Sequence, residues 1–468
     1  MRHSIKDDIL KYKWVEPQEL LDKWYDSQLS LFALHSTNNP LLELIGQREL
    51  KSLCLNFKWY YDTEDLKVWY KNKEKAVKNT ALINELNIKS REYTQEAIKL
   101  IRKLEKAKMI DIDLMGQARK VLINLWNIFM IDLGKYIAKE IDLRLSKQGF
   151  SKNQISQIKN LYFEKNPKLA FQKGAKELVL IANKYKKTKD KDWLEKTVGL
   201  YRDKYAWLSV NEIDTEPFTA QDYLKEVLEL IKTDRLTKKM KSTAKKTRVT
   251  FSLNPENKKY LETVYQHIYL DNYAADLYAR LNYLAQELIR QQYELSFKDQ
   301  SWYSFDELQN LVKTGTKLLS QDIEKRKKHR VMVQINNKIK VSYDRKIFDN
   351  ISGKISSRSI KKPSLIKGQT ACMGYAKGIV KIVLGVKDID KVKEGDILVA
   401  QTTRPDLVIA MRRSAAIVTD SGGITSHAAI VSREFGIPCI VGTNIATIVL
   451  KDGDLVKVDA NRGIIRIM

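Results

Sequence analysis

Between Ala416 and Thr443 the chain reads AIVTDSGGITSHAAIVSREFGIPCIVGT. These residue types at this spacing could handle a phosphoryl group. An apolar run ends at Asp420, and Gly422 and Gly423 permit a tight turn with open backbone N–H groups. Thr425 and Ser426 bring two hydroxyls to the start of a helix, and His427 falls in its first turn. A helix N-terminus with open N–H groups and hydroxyls attracts anions, phosphate above all. The helix dipole there disfavours imidazolium, so the expected ring is neutral and nucleophilic. The chemistry implied is a histidine that accepts and donates phosphate, with the surrounding donors stabilising charge in transit. The same spacing also suits a histidine that merely opens a helix beside a turn. The residues alone leave the two readings open.

The elements that must position this segment follow from the surrounding pattern. Gly436 is placed to end the helix, and Ile437-Pro438 leads into another strand. From Gly368 onward, short β-branched runs alternate with turns: Ile379–Leu384, Asp396–Ala400, Ala416–Thr419, Cys439–Val441, Leu455–Val458 and Gly463–Ile467. About one hundred residues of this texture predict a compact β/α/β domain over 368–468. Ahead of it, GKISSRSIKKPSLIK at 353–367 reads as a polar, basic linker. Upstream, apolar residues recur at helical spacing, as in Ala97, Leu100, Ile101 and Leu104. Helices are expected at Tyr223–Ile231, Leu261–Leu295 and Phe305–Ile323, the last opened by a Ser304/Glu307 capping box. The fold class expected is multidomain: a large all-α N-terminal region followed by the C-terminal β/α/β domain. The helical part divides as 1–200 and 201–352, with a β-hairpin near 331–342 around Asn336-Asn337.

Composition limits the rest. The 468 residues carry net charge +26, and 43% are hydrophobic, a globular balance. From Leu365 to the end there are 14 basic and 10 acidic residues, so most of the excess lies upstream. The basic runs Lys184–Lys191 and Lys238–Arg248 come with no RNA- or DNA-binding motif, so nucleic acid is not the expected partner. No apolar run is long enough to cross a membrane, and the N-terminus has no apolar leader segment, so a cytoplasmic protein without membrane contact is expected. Cys54, Cys372 and Cys439 lack metal-site spacing, and Cys439 is expected in packing. His267, Tyr273 and Arg280 share one predicted helix and could line a pocket, although packing and surface roles are commoner for such residues. Arg404, Arg412, Arg413 and Arg433 are candidates to meet phosphate near His427.

The segment GGITSHAAIVSREFGIPCIVGT resembles the phosphohistidine, or swivelling, domain of the PEP-utilising enzymes, the group of PEP synthase, pyruvate phosphate dikinase, rifampicin phosphotransferase and phenylphosphate synthase. Gly374-Tyr-Ala-Lys-Gly378, Glu394-Gly-Asp396, Thr402-Thr-Arg-Pro-Asp406 and Lys451-Asp-Gly-Asp454 match its flanking pieces. The resemblance is strong over 368–468, and weaker upstream at Lys204–Leu208, Glu216–Tyr223 and Tyr278–Ala285. It implies that His427 is the phosphorylated histidine, with Gly422, Gly423, Thr425 and Ser426 positioning the phosphoryl group and Arg404 and Arg433 as further candidates. It also implies a domain that swings on a tether, which 353–367 could supply. No ATP-grasp pattern precedes the helices and no pyruvate-binding barrel is expected after Met468. ATP and Mg²⁺ are therefore expected on a separate ATP-grasp chain, with no cofactor or metal held here. A small-molecule acceptor of unspecified chemistry would complete a phosphotransferase component. The alternative is a non-catalytic binding or scaffold protein that retains the swivelling domain, its basic helical region binding nucleic acid or a partner protein.

Overall fold

The computed structural model describes residues 14–15, 40–46, 52–55, 58–129, 131, 133–164, 166–210, 216–232, 251–335, 338–352, 365–403, 407–423 and 426–468. The chain opens with β1 (Trp14–Val15), α1 (Pro40–Leu44), β2 (Ser52–Leu55), β3 (Lys58–Asp62), α2 (Thr63–Ala76), α3 (Thr80–Leu104) and α4 (Ile112–Phe129). Next come α5 (Gly134–Lys147), α6 (Lys152–Glu164), α7 (Ala170–Thr188), α8 (Lys191–Tyr205), α9 (Ala220–Lys232) and α10 (Pro255–Tyr293). Then follow α11 (Phe297–Gln300), α12 (Phe305–Thr314), α13 (Ser320–Lys328), β4 (Val331–Ile335), β5 (Lys338–Ser342) and α14 (Arg345–Ser352). The C-terminal part holds β6 (Leu365–Lys367), β7 (Gln369–Cys372), β8 (Tyr375–Ile382), β9 (Ile397–Ala400), α15 (Val408–Arg413), β10 (Ala416–Thr419), α16 (His427–Phe435), β11 (Cys439–Val441), α17 (Ala446–Val449), β12 (Leu455–Asp459) and β13 (Ile464–Ile467).

The chain divides into two units. One comprises residues 1–136, 211–216 and 266–359; the other comprises 137–210, 217–265 and 360–468. In the first unit, α3 shows why these segments are helical. Asn79 caps it by accepting the Leu82 N–H at 3.1 Å. Ile83, Leu86, Ser90, Thr94, Ala97, Ile101 and Leu104 then recur at spacings of three and four, all buried. The Ser304/Glu307 capping box forms as expected, but α12 stops at Gly315 (φ +72°). The predicted helix Phe305–Ile323 is thus two helices, because glycine's left-handed backbone ends the first.

The N-terminal region is not all helical, which corrects the expected class. The hairpin β4–β5 forms as predicted, in register Val331↔Ser342 to Ile335↔Lys338. It also belongs to a five-stranded sheet of order β1-β3-β2-β4-β5. β2 pairs antiparallel with β4, a partner far away in sequence, and β3 pairs with both β2 and β1. Short strands gain stability mainly from such cross-strand partners, which local periodicity does not reveal.

In this unit His267, Tyr273 and Arg280 are each engaged with a neighbouring side chain. His267 is buried, and its Nδ1 lies 3.1 Å from Asn87 Oδ1. Tyr273 stacks on Tyr269 with ring centroids 5.5 Å apart, and Arg280 pairs with Glu105. Burial depresses His267 to about 4, from an ordinary value near 6.5. The folded state therefore binds this proton less readily than the unfolded chain. The stability from neutral His267 is complete above about pH 6.5 and is lost as pH falls towards 4, amounting to about 3 kcal/mol. Denaturant titrations at several pH values should show that slope, and His267→Gln should flatten it. An equally steep slope in the variant would assign it to other groups.

The C-terminal residues of the second unit build an eight-stranded sheet of order β6-β13-β12-β8-β9-β10-β11-β7. Its centre is parallel: β8–β9, β9–β10 and β10–β11. β9 (ILVA), β10 (AIVT) and β11 (CIV) are buried throughout, as parallel strands covered on both faces require. β12 alternates buried and half-buried residues and pairs antiparallel with β8 and β13. Leu365–Lys367, read from sequence as the end of a linker, form edge strand β6 on β13. Residues 353–364 of that linker lie outside the described residues. Cys439 is fully buried, as expected.

Candidate phosphohistidine site

The unit β10–loop–α16–β11 carries the histidine. β10 and β11 are parallel neighbours, so the loop after Thr419 opens at the carboxyl end of the parallel strands, where α/β sheets bind ligands. Gly422 has φ +96°, and a Cβ there would stand 2.8 Å from Ser426 Cβ, so only glycine fits this turn. Gly423, which is buried, accepts the Ser426 N–H at 3.0 Å and closes the loop. Ser426 is the N-cap of α16: its Oγ accepts the Ala429 N–H at 3.4 Å. That hydroxyl, expected at the phosphate, is engaged in starting the helix. Gly436 ends α16 with φ +62°, as the sequence predicts. Thr425 and Arg404 lie outside the described residues.

His427 is the first residue of α16 and is half-buried. Its Nδ1 lies 3.0 Å from Thr403 Oγ1, and Thr403 is itself buried. The imidazole packs against the Phe171 ring from α7, centroids 4.6 Å apart and tilted by 57°. Sequence reasoning assigned no role to Thr403 or Phe171. The Thr402–Asp406 segment was a signal for the first; Phe171 offered none.

Asp420 anchors the loop from beneath. The buried carboxylate accepts Thr443 Oγ1 at 2.6 Å and the Ala446 N–H on one oxygen, and the Thr447 N–H at 3.0 Å and Thr447 Oγ1 on the other. It thereby ties the end of β10 to the start of α17.

The arginines proposed for phosphate have other contacts. Arg433 places its guanidinium 4.8 Å from the Phe163 ring and donates to the Ala371 carbonyl at 3.2 Å. Arg413 pairs with Glu229 on α9. Arg412 donates to Glu226 at 3.1 Å and to the Ala175 carbonyl at 2.9 Å, with its side chain and that of Glu226 almost wholly buried. Lys168 and Gln172 reach Glu434 of α16 at 2.9 and 2.8 Å. Lys168, α7 and α9 thus make polar and ionic contacts with the sheet domain, and Phe171 on His427 adds an apolar one.

The Arg412–Glu226 pair yields a stability prediction. Burial raises Glu226 above its ordinary value, against the pull of Arg412 and Arg413. Its raised pKa favours folding below the unfolded value, and that benefit is lost as pH rises through the folded one. Glu226→Leu leaves Arg412 buried, and an arginine cannot shed its charge, so a cost of about 3–5 kcal/mol is expected. Adding Arg412→Met should recover most of it. Urea unfolding of both single variants and the double variant measures the coupling; a double variant no better than Glu226→Leu would refute it.

With this geometry established, comparison with known proteins is informative. Residues 392–463 match the family "PEP-utilising enzyme, mobile domain". A probable phosphoenolpyruvate synthase of Archaeoglobus fulgidus is 59% identical over 101 residues, covering 22% of this chain and 13% of that protein. The phosphoenolpyruvate synthase of Pyrococcus furiosus is 58% identical over 101 residues, covering 22% and 12%. The chain therefore spans only about an eighth of the length of these curated relatives. The aconitase X crystal structure from Thermococcus kodakaraensis is 22% identical over 22% of this chain and 98% of its own, with a TM-score of 0.18, too low to support any conclusion. Over residues 392–463, with His427 at the head of a helix on a parallel sheet, the chain carries a domain that matches the mobile domain of the PEP-utilising enzymes.

Proposed function

We propose that the chain is a phosphotransferase component in which His427 carries a phosphoryl group from a separate ATP-grasp partner to a small-molecule acceptor. The observation that carries this reading is the placement of His427: first residue of α16, at the carboxyl end of the parallel strands, with Nδ1 held at 3.0 Å by Thr403 Oγ1. In the tautomer where Nδ1–H donates to that oxygen, the lone pair lies on Nε2. Nε2 attacks phosphorus, an N–P bond forms, and the P–O bond to the donor's leaving group breaks with its electron pair. An acceptor oxygen then attacks the same phosphorus, and the imidazole departs with the N–P electrons. Backbone N–H groups of the Gly422–Gly423 loop and the first turn of α16 stabilise the charge in flight. ATP and Mg²⁺ belong to the partner chain, where Mg²⁺ would neutralise the donor's phosphates.

The partly exposed Lys168–Glu434 contact can exchange for water, as a domain that docks and leaves requires, whereas the buried Arg412–Glu226 pair would have to be rehydrated on each departure. The cavity behind Phe171 and Arg412 has a volume of only about 40 Å³, so an acceptor must reach His427 from elsewhere or displace Phe171. The test is the intact mass of the full chain after incubation with Mg-ATP and clarified host lysate. A gain of one phosphoryl group, lost in mild acid, is expected. No gain, or an acid-stable one, would favour the non-catalytic binding role.

A further inference from the structure

A second site lies at the other end of α16. A cavity of about 640 Å³ opens between α6 and the edge of the sheet domain, within the volume range of small-molecule pockets. Lys152, Ile155, Ser156, Lys159, Asn160 and Phe163 line it, at spacings of three, one, three, one and three residues. That is one continuous stripe of a helix. A stripe turned towards a neighbouring element is normally apolar, yet four of these six side chains are polar or charged. Arg433 and Arg462 enter from the opposite wall, while Asp142 supplies the carboxylate of the lining.

Arg433 gives the strongest indication of a ligand. Its guanidinium contacts the Phe163 ring and one carbonyl, its Nε is buried without a hydrogen-bond partner, and no carboxylate pairs with it among the described residues. The neighbouring Glu434 is committed to Lys168 and Gln172. Lys159 is nearly buried and pairs with the half-exposed Asp142. Burial lowers the pKa of both cations, for Lys159 despite Asp142. Cations held out of water without full compensation favour an anion that completes their hydrogen bonds.

We propose that this cavity binds a phosphorylated organic molecule, its phosphate between Arg433 and Lys159 and its flat or apolar body along Ile155, Phe163 and Tyr265. The site is distinct from the phosphohistidine loop. None of the described residues in 420–427 lines it, and Arg433 lies six residues along α16 from His427, about 9 Å of helix rise. The proposal does not depend on His427 carrying phosphate.

Calorimetric titration of the full chain with AMP, inorganic phosphate and adenosine tests it. AMP should bind more tightly than inorganic phosphate, and adenosine should not bind. Arg433→Met and Lys159→Met should each weaken AMP about tenfold or more. His427→Ala should leave AMP binding unchanged. Thermal melts identify any variant that fails to fold, in which case the other one decides. Absence of AMP binding, adenosine binding as tightly as AMP, or unchanged affinity in a folded Arg433→Met or Lys159→Met variant would overturn the proposal. Loss of AMP binding in folded His427→Ala would move the anion to the histidine loop and overturn it equally.

Discussion

A His427→Ala chain is expected to take up no phosphoryl group under conditions that phosphorylate the parent, while still folding, with a denaturant midpoint only modestly below the parent's. The two halves of this expectation have separate physical grounds. The imidazole is the nucleophile of the proposed transfer, and deleting a nucleophile removes the covalent route altogether, a loss on the order of 10³-fold or more. The fold depends little on the ring. α16 is started by Ser426, whose Oγ holds the Ala429 N–H, and ended by Gly436; alanine at the first helical position disturbs neither. What disappears is the Thr403 hydrogen bond at 3.0 Å and the contact with Phe171. Together these should cost about 1–2 kcal/mol, since the site is half-buried and can take in water. His427→Gln separates the contributions further, because its amide can still reach Thr403 but cannot form a phosphoramidate. Both variants should therefore give the unshifted intact mass beside a parent that shifts. A phosphoryl group that persists in either folded variant would place the acceptor atom on another residue and remove His427 from the mechanism.

The sequence reveals the parts of this site that are local. β10, the Gly422-Gly423 turn, the start of α16 and its end at Gly436 all follow from residues within one short stretch, where turn glycines, a capping serine and β-branched runs act over a few positions. The partners of the histidine are a different matter. Thr403 arrives from the loop after β9, 24 residues upstream, and Phe171 arrives from α7, so neither is implied by spacing around His427. The same limit explains the N-terminal sheet. β2 and β3 are only four and five residues long, and they hold their place by pairing with each other and with β4. β7, with sequence QTAC, lacks the apolar run that identified its neighbours, yet it is set against β11. The α6 stripe is a third case: its helical spacing is readable, but only the folded chain shows that its polar face lines a cavity.

Asp420→Asn is expected to destabilise the second unit by about 3 kcal/mol, although the substitution changes almost no volume. Each carboxylate oxygen of Asp420 serves two donors: Thr443 Oγ1 and the Ala446 N–H on Oδ1, the Thr447 N–H and Oγ1 on Oδ2. The residue is buried, so water cannot replace a lost partner. An asparagine must put its NH₂ in place of one of these oxygens. The hydroxyl on that side can rotate to accept, but the backbone N–H beside it cannot. Either amide orientation therefore leaves a donor facing a donor, in a position where the charged acceptor had strengthened every bond. Denaturant unfolding of parent and variant measures the cost. The functional consequence should be graded rather than absolute. Asp420 touches no part of His427 but ties the strand before the histidine loop to α17, so Asp420→Asn should slow phosphoryl uptake while still permitting it at low temperature. Asp420→Ala, which removes all four bonds, should be worse on both counts. Unfolding at the parent's midpoint would mean that the loop is held by the sheet alone, and a fully stable variant that takes up no phosphoryl group would mean that Asp420 acts in the chemistry itself.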